Sequence, residues 1–70
     1  MTKIQAVLFD NNRYSFKTSQ DWINKHNYIP IKNPHFTSNY IRYRIKNPDY
    51  NHHKYRIEHI GHGISFILEI

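Results

Sequence analysis

The chain contains no cysteine, two glycines, three prolines and no long apolar run. Without cysteine, neither a disulfide nor a thiolate-bound metal can support the fold, and this composition fits an intracellular protein. No segment approaches the roughly 20 apolar residues that a membrane-spanning helix needs, and the first residues show no signal-peptide pattern. We therefore expect a soluble protein that is cytoplasmic, nuclear or packaged in a particle, with no membrane contact.

Sequence patterns typical of enzymes are also missing. The five acidic residues are scattered, and there is neither a glycine-rich loop nor a nucleophile elbow. A domain of 70 residues also has little room for a pocket of a few hundred Å³. We expect no catalytic activity and no cofactor.

Histidine is abundant, with six residues in the chain. His59 and His62 flank a predicted turn, and such a pair could hold zinc or nickel weakly, but no local spacing matches a zinc signature. We therefore expect ordinary loop histidines and no metal site. His26 is different, because it follows the apolar face of a predicted helix, where we expect it to be half-buried with one hydrogen-bonded nitrogen.

The hydrophobic patterns predict one domain over residues 1–70 with the order β-α-β-β-β-β. The predicted strands are Lys3–Phe9, Tyr28–Ile31, Asn39–Ile45, Lys54–Ile60 and Ile64–Leu68, and the predicted helix is Phe16–His26. Ser15 is the predicted helix N-cap, and Asn27 the residue that ends the helix in a left-handed conformation. One helix with a mostly antiparallel sheet indicates a two-layer α+β fold, with Trp22 expected at the centre of the core.

The order of several short motifs resembles a known group of proteins. These motifs are Val7-Leu8-Phe9, Tyr14-Ser15, Trp22-Ile23, His26-Asn27-Tyr28, Ile41-Arg42-Tyr43-Arg44 and Gly63-Ile64. Together they resemble a family of small uncharacterised proteins and modules from large DNA viruses and tailed phages. The resemblance implies a viral or phage origin, with the protein located in the host cytoplasm or nucleus or in the virion, and it implies no site residues.

The positive charge is concentrated in one part of the chain, which has a formal net charge of +5. Between positions 40 and 56 the sequence combines cations that suit phosphate oxygens with tyrosines that can stack on unpaired bases. We expect nucleic acid to be the partner, with Arg42, Arg44, Lys46, Lys54, Arg56, Tyr40 and Tyr50 as the binding residues. If Ile41, Tyr43 and Ile45 face the core, Arg42 and Arg44 point outward together on the other face of their strand. If the next strand pairs with this one, Arg56 can share that face.

Two other interpretations of the same residues remain open. The arginines could simply keep one face of the sheet solvated, with Glu58 paired to Arg42 or Arg44 across strands. Alternatively, the protein could be an interaction or structural component of a virion that assembles through a sheet edge. The last strand, which runs towards Ile70, is the candidate edge for pairing with another chain, and a domain this small often gains stability by forming oligomers.

Overall fold

The computed structural model describes residues 3–46 and 54–69, which form one helix and five strands. In chain order these are β1 (Lys3–Asp10), α1 (Phe16–Lys25), β2 (His35–Phe36), β3 (Tyr40–Arg44), β4 (Tyr55–Gly61) and β5 (Ile64–Glu69). All strand pairs are antiparallel, and the order across the sheet is β2-β3-β1-β5-β4. The predicted two-layer α+β fold is therefore confirmed. Within the described residues, no helix is long and apolar enough to cross a membrane.

The central strand, β1, carries buried apolar side chains on both faces of the sheet. Val7 and Phe9 face α1, where they join a buried cluster with Ile23 of the helix. Ala6 and Leu8 point to the other face of the sheet and are also buried. A strand that is buried on both faces reads as a nearly continuous apolar run.

The core is centred on Phe9, which is fully buried and makes three edge-to-face aromatic contacts. Its ring centroid lies 5.1 Å from Tyr14, 5.5 Å from Trp22 and 5.5 Å from Tyr43. Trp22 is only partly buried, so the prediction that it forms the centre of the core is wrong. The helix buries Ser19 and Ile23 completely, while Trp22 packs against the cluster from a partly buried position.

Both ends of α1 are fixed by local hydrogen bonds, as the sequence predicts. The Ser15 hydroxyl accepts from the Thr18 backbone N–H at 3.2 Å, and the Thr18 hydroxyl accepts from the Ser15 N–H at 2.9 Å. This reciprocal pair is a capping box. At the other end Asn27 has a φ of 62°, and the N–H of Tyr28 donates to the carbonyl of Ile23. That arrangement is a Schellman cap, in which asparagine replaces the usual glycine.

The predicted strand Tyr28–Ile31 is wrong, and its backbone chemistry explains why. The Tyr28 N–H is used in the helix cap, and Pro30 has no N–H to donate. Ile31 makes a single hydrogen bond, to the carbonyl of Arg44 at 3.0 Å. The strand that pairs with β3 is instead His35–Phe36, inside the segment predicted to be a loop.

His26 follows α1 and is exposed rather than half-buried, so that part of its prediction is wrong. Its ring stacks on Trp22 with the centroids 3.9 Å apart, and its Nδ1 lies 2.9 Å from the Trp22 carbonyl oxygen. The expected hydrogen-bonded nitrogen is therefore present. The histidine covers the outer side of Trp22 rather than entering the core.

A buried hydroxyl chain connects the sheet to the helix. Ser19 Oγ donates to the Phe16 carbonyl at 3.0 Å and lies 2.8 Å from the hydroxyl of Tyr43. Because the Ser19 hydroxyl donates its proton to that carbonyl, the Tyr43 hydroxyl is the donor in the hydrogen bond with Ser19. Burial raises the pKa of Tyr43 above its ordinary value of 10.0.

We expect Tyr43→Phe to lower the free energy of unfolding by about 0.5–1.5 kcal/mol at neutral pH, the usual net value of one hydrogen bond. Because the pKa of Tyr43 is higher in the folded than in the unfolded state, the tyrosine stabilises the fold below pH 10.0. This contribution is lost as the pH rises through the folded-state pKa. The wild type should therefore lose stability more steeply than the variant above pH 10.0. Urea unfolding at neutral and alkaline pH measures both effects, and parallel pH curves would contradict the assignment.

Candidate functional site

The basic residues of β3 lie on the face of the sheet opposite α1. Ile41 and Tyr43 belong to the buried cluster under the helix. Because side chains alternate along a strand, Tyr40, Arg42 and Arg44 point to the other face. This is the alternation that the sequence predicts, and it gives β3 a line of outward-facing cationic and aromatic groups.

Register places a second basic group beside Arg42. His35 of β2 lies directly opposite Arg42, and Arg42 lies opposite Leu8 of β1. The next row along the strands places Arg44 opposite Ala6. Since Ala6 and Leu8 are buried, this face has an apolar centre, and its charge is concentrated at the edge formed by β2 and β3.

The segment before β2 forms a concave wall beside these arginines. It is attached to β3 at two points, namely the hydrogen bond from Ile31 to Arg44 and the pairing of His35 with Arg42. Between these points the chain passes through Lys32, Asn33 and Pro34 without pairing to β3. Proline cannot continue a hydrogen-bonded ladder, so the chain leaves the sheet here and leaves a hollow.

This hollow, called the basic pocket below, has a volume of about 220 Å³. It is lined by Lys32, Asn33, His35, Arg42 and Arg44. Three of the five are cations at neutral pH, one is an amide, one is an imidazole, and none is acidic. Guanidinium groups offer paired donors in a fixed plane that matches phosphate or carboxylate oxygens. The pocket therefore has the chemistry of an anion site.

Arg42 is the most constrained residue of the basic pocket. Its Nη2 donates to Gln5 Oε1 at 3.4 Å, which fixes the side chain across the sheet. Its Nε is buried and has no hydrogen-bond partner within residues 3–46 and 54–69. A buried donor without an acceptor costs about 1–3 kcal/mol, so the fold holds this guanidinium in place at some expense of stability.

Lys46 was predicted to contact phosphate, but its charge is already used within the protein. Its Nζ lies 2.7 Å from Glu69 Oε2, and the Glu69 side chain is only 6% exposed. Gln5 sits at a β-bulge next to this pair, and its amide donates to the Lys46 carbonyl at 3.2 Å. We therefore assign Lys46 to the support of a buried carboxylate rather than to the basic pocket.

Arg56 does not join the arginines of β3, so the predicted shared face is wrong. β4 pairs with β5 and lies at the opposite edge of the sheet from β2. Arg56 also points to the helix side, because its partner Leu68 lies opposite Ile4, which packs against the buried cluster. Arg56 contacts Glu58 at 3.5 Å, and this replaces the predicted pairing of Glu58 with Arg42 or Arg44.

The remaining predicted residues are spread around the domain. Tyr40 is 39% exposed and stands on the same side of β3 as Arg42. Lys54 is exposed and precedes β4, at the far edge of the sheet. Tyr50 lies outside the described residues, as do His52 and His53. Of the predicted nucleic-acid-binding residues that the structure describes, only those of β3 therefore lie together on one surface.

Sequence reasoning missed three of the five pocket residues, namely Lys32, Asn33 and His35. The available signal was the segment Thr37-Ser38-Asn39, a turn-forming cluster between Phe36 and Tyr40. The Thr37 hydroxyl and backbone N–H both bond to the Tyr40 carbonyl, which closes a tight hairpin. A hairpin prediction at this point would have placed His35 beside Arg42.

No known protein family matches this chain, and neither a curated protein nor a solved structure matches it. The site must therefore be interpreted from its own geometry. Among the described residues, no group of three or more histidine, aspartate or glutamate side chains is arranged to hold a metal ion. His59 is hydrogen-bonded to Ser65 through Nδ1 at 2.7 Å, while His62 occupies the following turn with a φ of 56°.

Proposed function

We propose that this protein is a small, non-catalytic accessory protein that binds nucleic acid through the basic pocket and the neighbouring Tyr40. The observation that carries the proposal is the basic pocket, where Lys32, Arg42 and Arg44 converge without an acidic residue. A phosphate group would accept from the arginines, and a base next to it would stack on Tyr40. The net charge of +5 favours the approach of a polyanion.

The arrangement favours an unpaired strand over a duplex. The pocket is a local hollow at one edge of the sheet rather than a helix or ribbon that would enter a groove of a duplex. Stacking on an exposed aromatic ring requires an unstacked base and is worth about 1–3 kcal/mol per base. Binding should be insensitive to sequence, since phosphate contacts carry no sequence information.

Fluorescence anisotropy with labelled single- and double-stranded DNA and RNA, at two salt concentrations, tests this function. We expect micromolar binding that is strongest for single strands and that weakens steeply with salt, because phosphate contacts release counterions. Inorganic pyrophosphate should compete at low salt. An absence of binding to all four nucleic acids at low salt would overturn the proposal.

A viral or phage origin belongs to this proposal, and the motif resemblance described above supports it. The second candidate function is protein interaction through a sheet edge, and one observation favours it. β4 is exposed along all seven residues, and β5 is its neighbour in the sheet. The predicted edge was the C-terminal strand, but β5 lies between β1 and β4. Among the described residues the outer strands are β2 and β4, and β4 is the longer of the two.

A further inference from the structure

The two outer strands of the sheet differ in how well they are protected against pairing. β2 has two residues and follows Pro34, so it offers little backbone for a further strand. β4 has seven residues and contains no proline, and the features it has that usually blunt an edge are the charges of Arg56 and Glu58 and a bulge between His59 and Gly61. Its Ile57 and Ile60 are 55% and 43% exposed. β4 is thus long, apolar in part and accessible on both faces.

The regular part of β4 has an odd number of residues, so one residue lies at its centre. β4 is in register with β5 from Tyr55 to His59, and a bulge interrupts the ladder between His59 and Gly61. The middle of this regular stretch is Ile57. Opposed residues of two antiparallel strands form either a hydrogen-bonded or a non-hydrogen-bonded pair, and a two-fold axis can pass through either kind. An axis through Ile57 is therefore compatible with the backbone.

The charged residues of β4 are arranged so that two antiparallel copies of the strand would be complementary about Ile57. Arg56 and Glu58 flank Ile57, and both point to the helix side of the sheet. If a second copy pairs antiparallel about Ile57, Arg56 of each copy lies directly opposite Glu58 of the other. Opposite charges in directly opposed positions contribute favourably to strand pairing, and like charges oppose it.

We propose that β4 is a self-association site, through which two copies of this chain join their sheets into one of ten strands. Ile57 would face Ile57 of the second copy at the centre, with one Arg56–Glu58 pair on each side. The two-fold axis is perpendicular to the sheet, so both helices lie on the same side of the joined sheet. The inference deepens the second candidate function and is independent of nucleic-acid binding.

Within one chain Arg56 already contacts Glu58 at 3.5 Å, with side chains 57% and 51% exposed. An exposed pair of this kind contributes little to stability. Exchanging it for two charge pairs across the dimer axis therefore costs little, while the pairing also covers Ile57. Because a strand-edge contact is small, we expect a dissociation constant in the micromolar range rather than an obligate dimer.

Charge reversal provides a direct test, measured by sedimentation equilibrium from micromolar to millimolar protein. Arg56→Glu and Glu58→Arg each place like charges opposite each other twice, and each should raise the dimer dissociation constant at least tenfold. The double variant Arg56→Glu/Glu58→Arg restores opposite charges and should dimerise like the wild type. An equimolar mixture of the two single variants should also dimerise, because each supplies the charges that the other lacks.

The matched controls are Lys17→Glu and Asp21→Lys, which change the net charge equally on the exposed side of α1, where this pair lies 3.4 Å apart. They should leave dimerisation within twofold of the wild type. A monomeric mass for the wild type over the whole concentration range overturns the proposal. Dimerisation that neither single reversal weakens, or that the mixture fails to restore, overturns the register centred on Ile57. Circular dichroism of each variant confirms that it is folded.

Discussion

Phe9→Ala is expected to lower the free energy of unfolding by about 3–5 kcal/mol, more than any surface substitution. Phe9 is fully buried and touches three aromatic rings, so its removal leaves a cavity in the middle of the core. Truncating a buried phenylalanine costs about 3–5 kcal/mol. A domain of this length has on the order of 4–10 kcal/mol in total, at about 0.05–0.15 kcal/mol per residue. One substitution would therefore remove at least about a third of the stability, and nearly all of it if the total is near the lower value.

Urea unfolding followed by tryptophan fluorescence measures this effect well, because Trp22 is the single tryptophan and lies 5.5 Å from Phe9. Phe16→Ala is the matched control, since it makes the same chemical change at a residue that is 53% exposed. We expect the control to cost about 1 kcal/mol or less, as a surface substitution usually does. If both variants shift the midpoint equally, Phe9 is not the centre of the core.

The second large effect concerns binding rather than stability. The double variant Lys32→Ala/Arg44→Ala removes two cations from the basic pocket and spares Arg42, which also contacts Gln5. A hydrogen bond to a charged group contributes about 1.5–3 kcal/mol, so affinity for single strands should fall by roughly tenfold to a hundredfold per contact. The slope of log K against log salt should fall by about one for each lost phosphate contact.

Lys17→Ala/Lys25→Ala is the corresponding control, because it removes the same charge from exposed positions on α1. If binding depends on net charge alone, the two double variants will weaken it equally, and the basic pocket has no special role. Arg44→Lys adds a finer comparison, since it keeps the charge but loses the planar pair of donors. We expect its affinity to lie between those of the wild type and Arg44→Ala.

Local signals in the sequence predicted most of the fold. Ser15 and Asn27 marked the ends of α1 because capping depends on a few adjacent residues. Alternating side chains predicted β3 and its two faces, and hydrophobic patterning predicted β1. These patterns are local, so they are visible without knowing which strands are neighbours.

The failures arise where the answer depends on residues far apart in the chain. Trp22 was expected at the core because of its size, but the position of α1 on the sheet gives that place to Phe9. Tyr28–Ile31 resembled a strand, yet the helix cap and Pro30 use or remove its donors. The ion pair of Lys46 with Glu69 also depends on the fold, because it joins residues 23 positions apart.

The sequence by itself determined the class of fold, the limits of the helix, the outward direction of Arg42 and Arg44, and the positive charge. The tertiary structure alone decided which charges are neighbours. Strand order separates Arg56 from β3 and brings Lys32 and His35 to it, and it makes β4 the exposed edge. The physical reason is that side-chain alternation is a local property of the backbone, whereas strand order is set by the burial of the whole core, which no short stretch of sequence encodes.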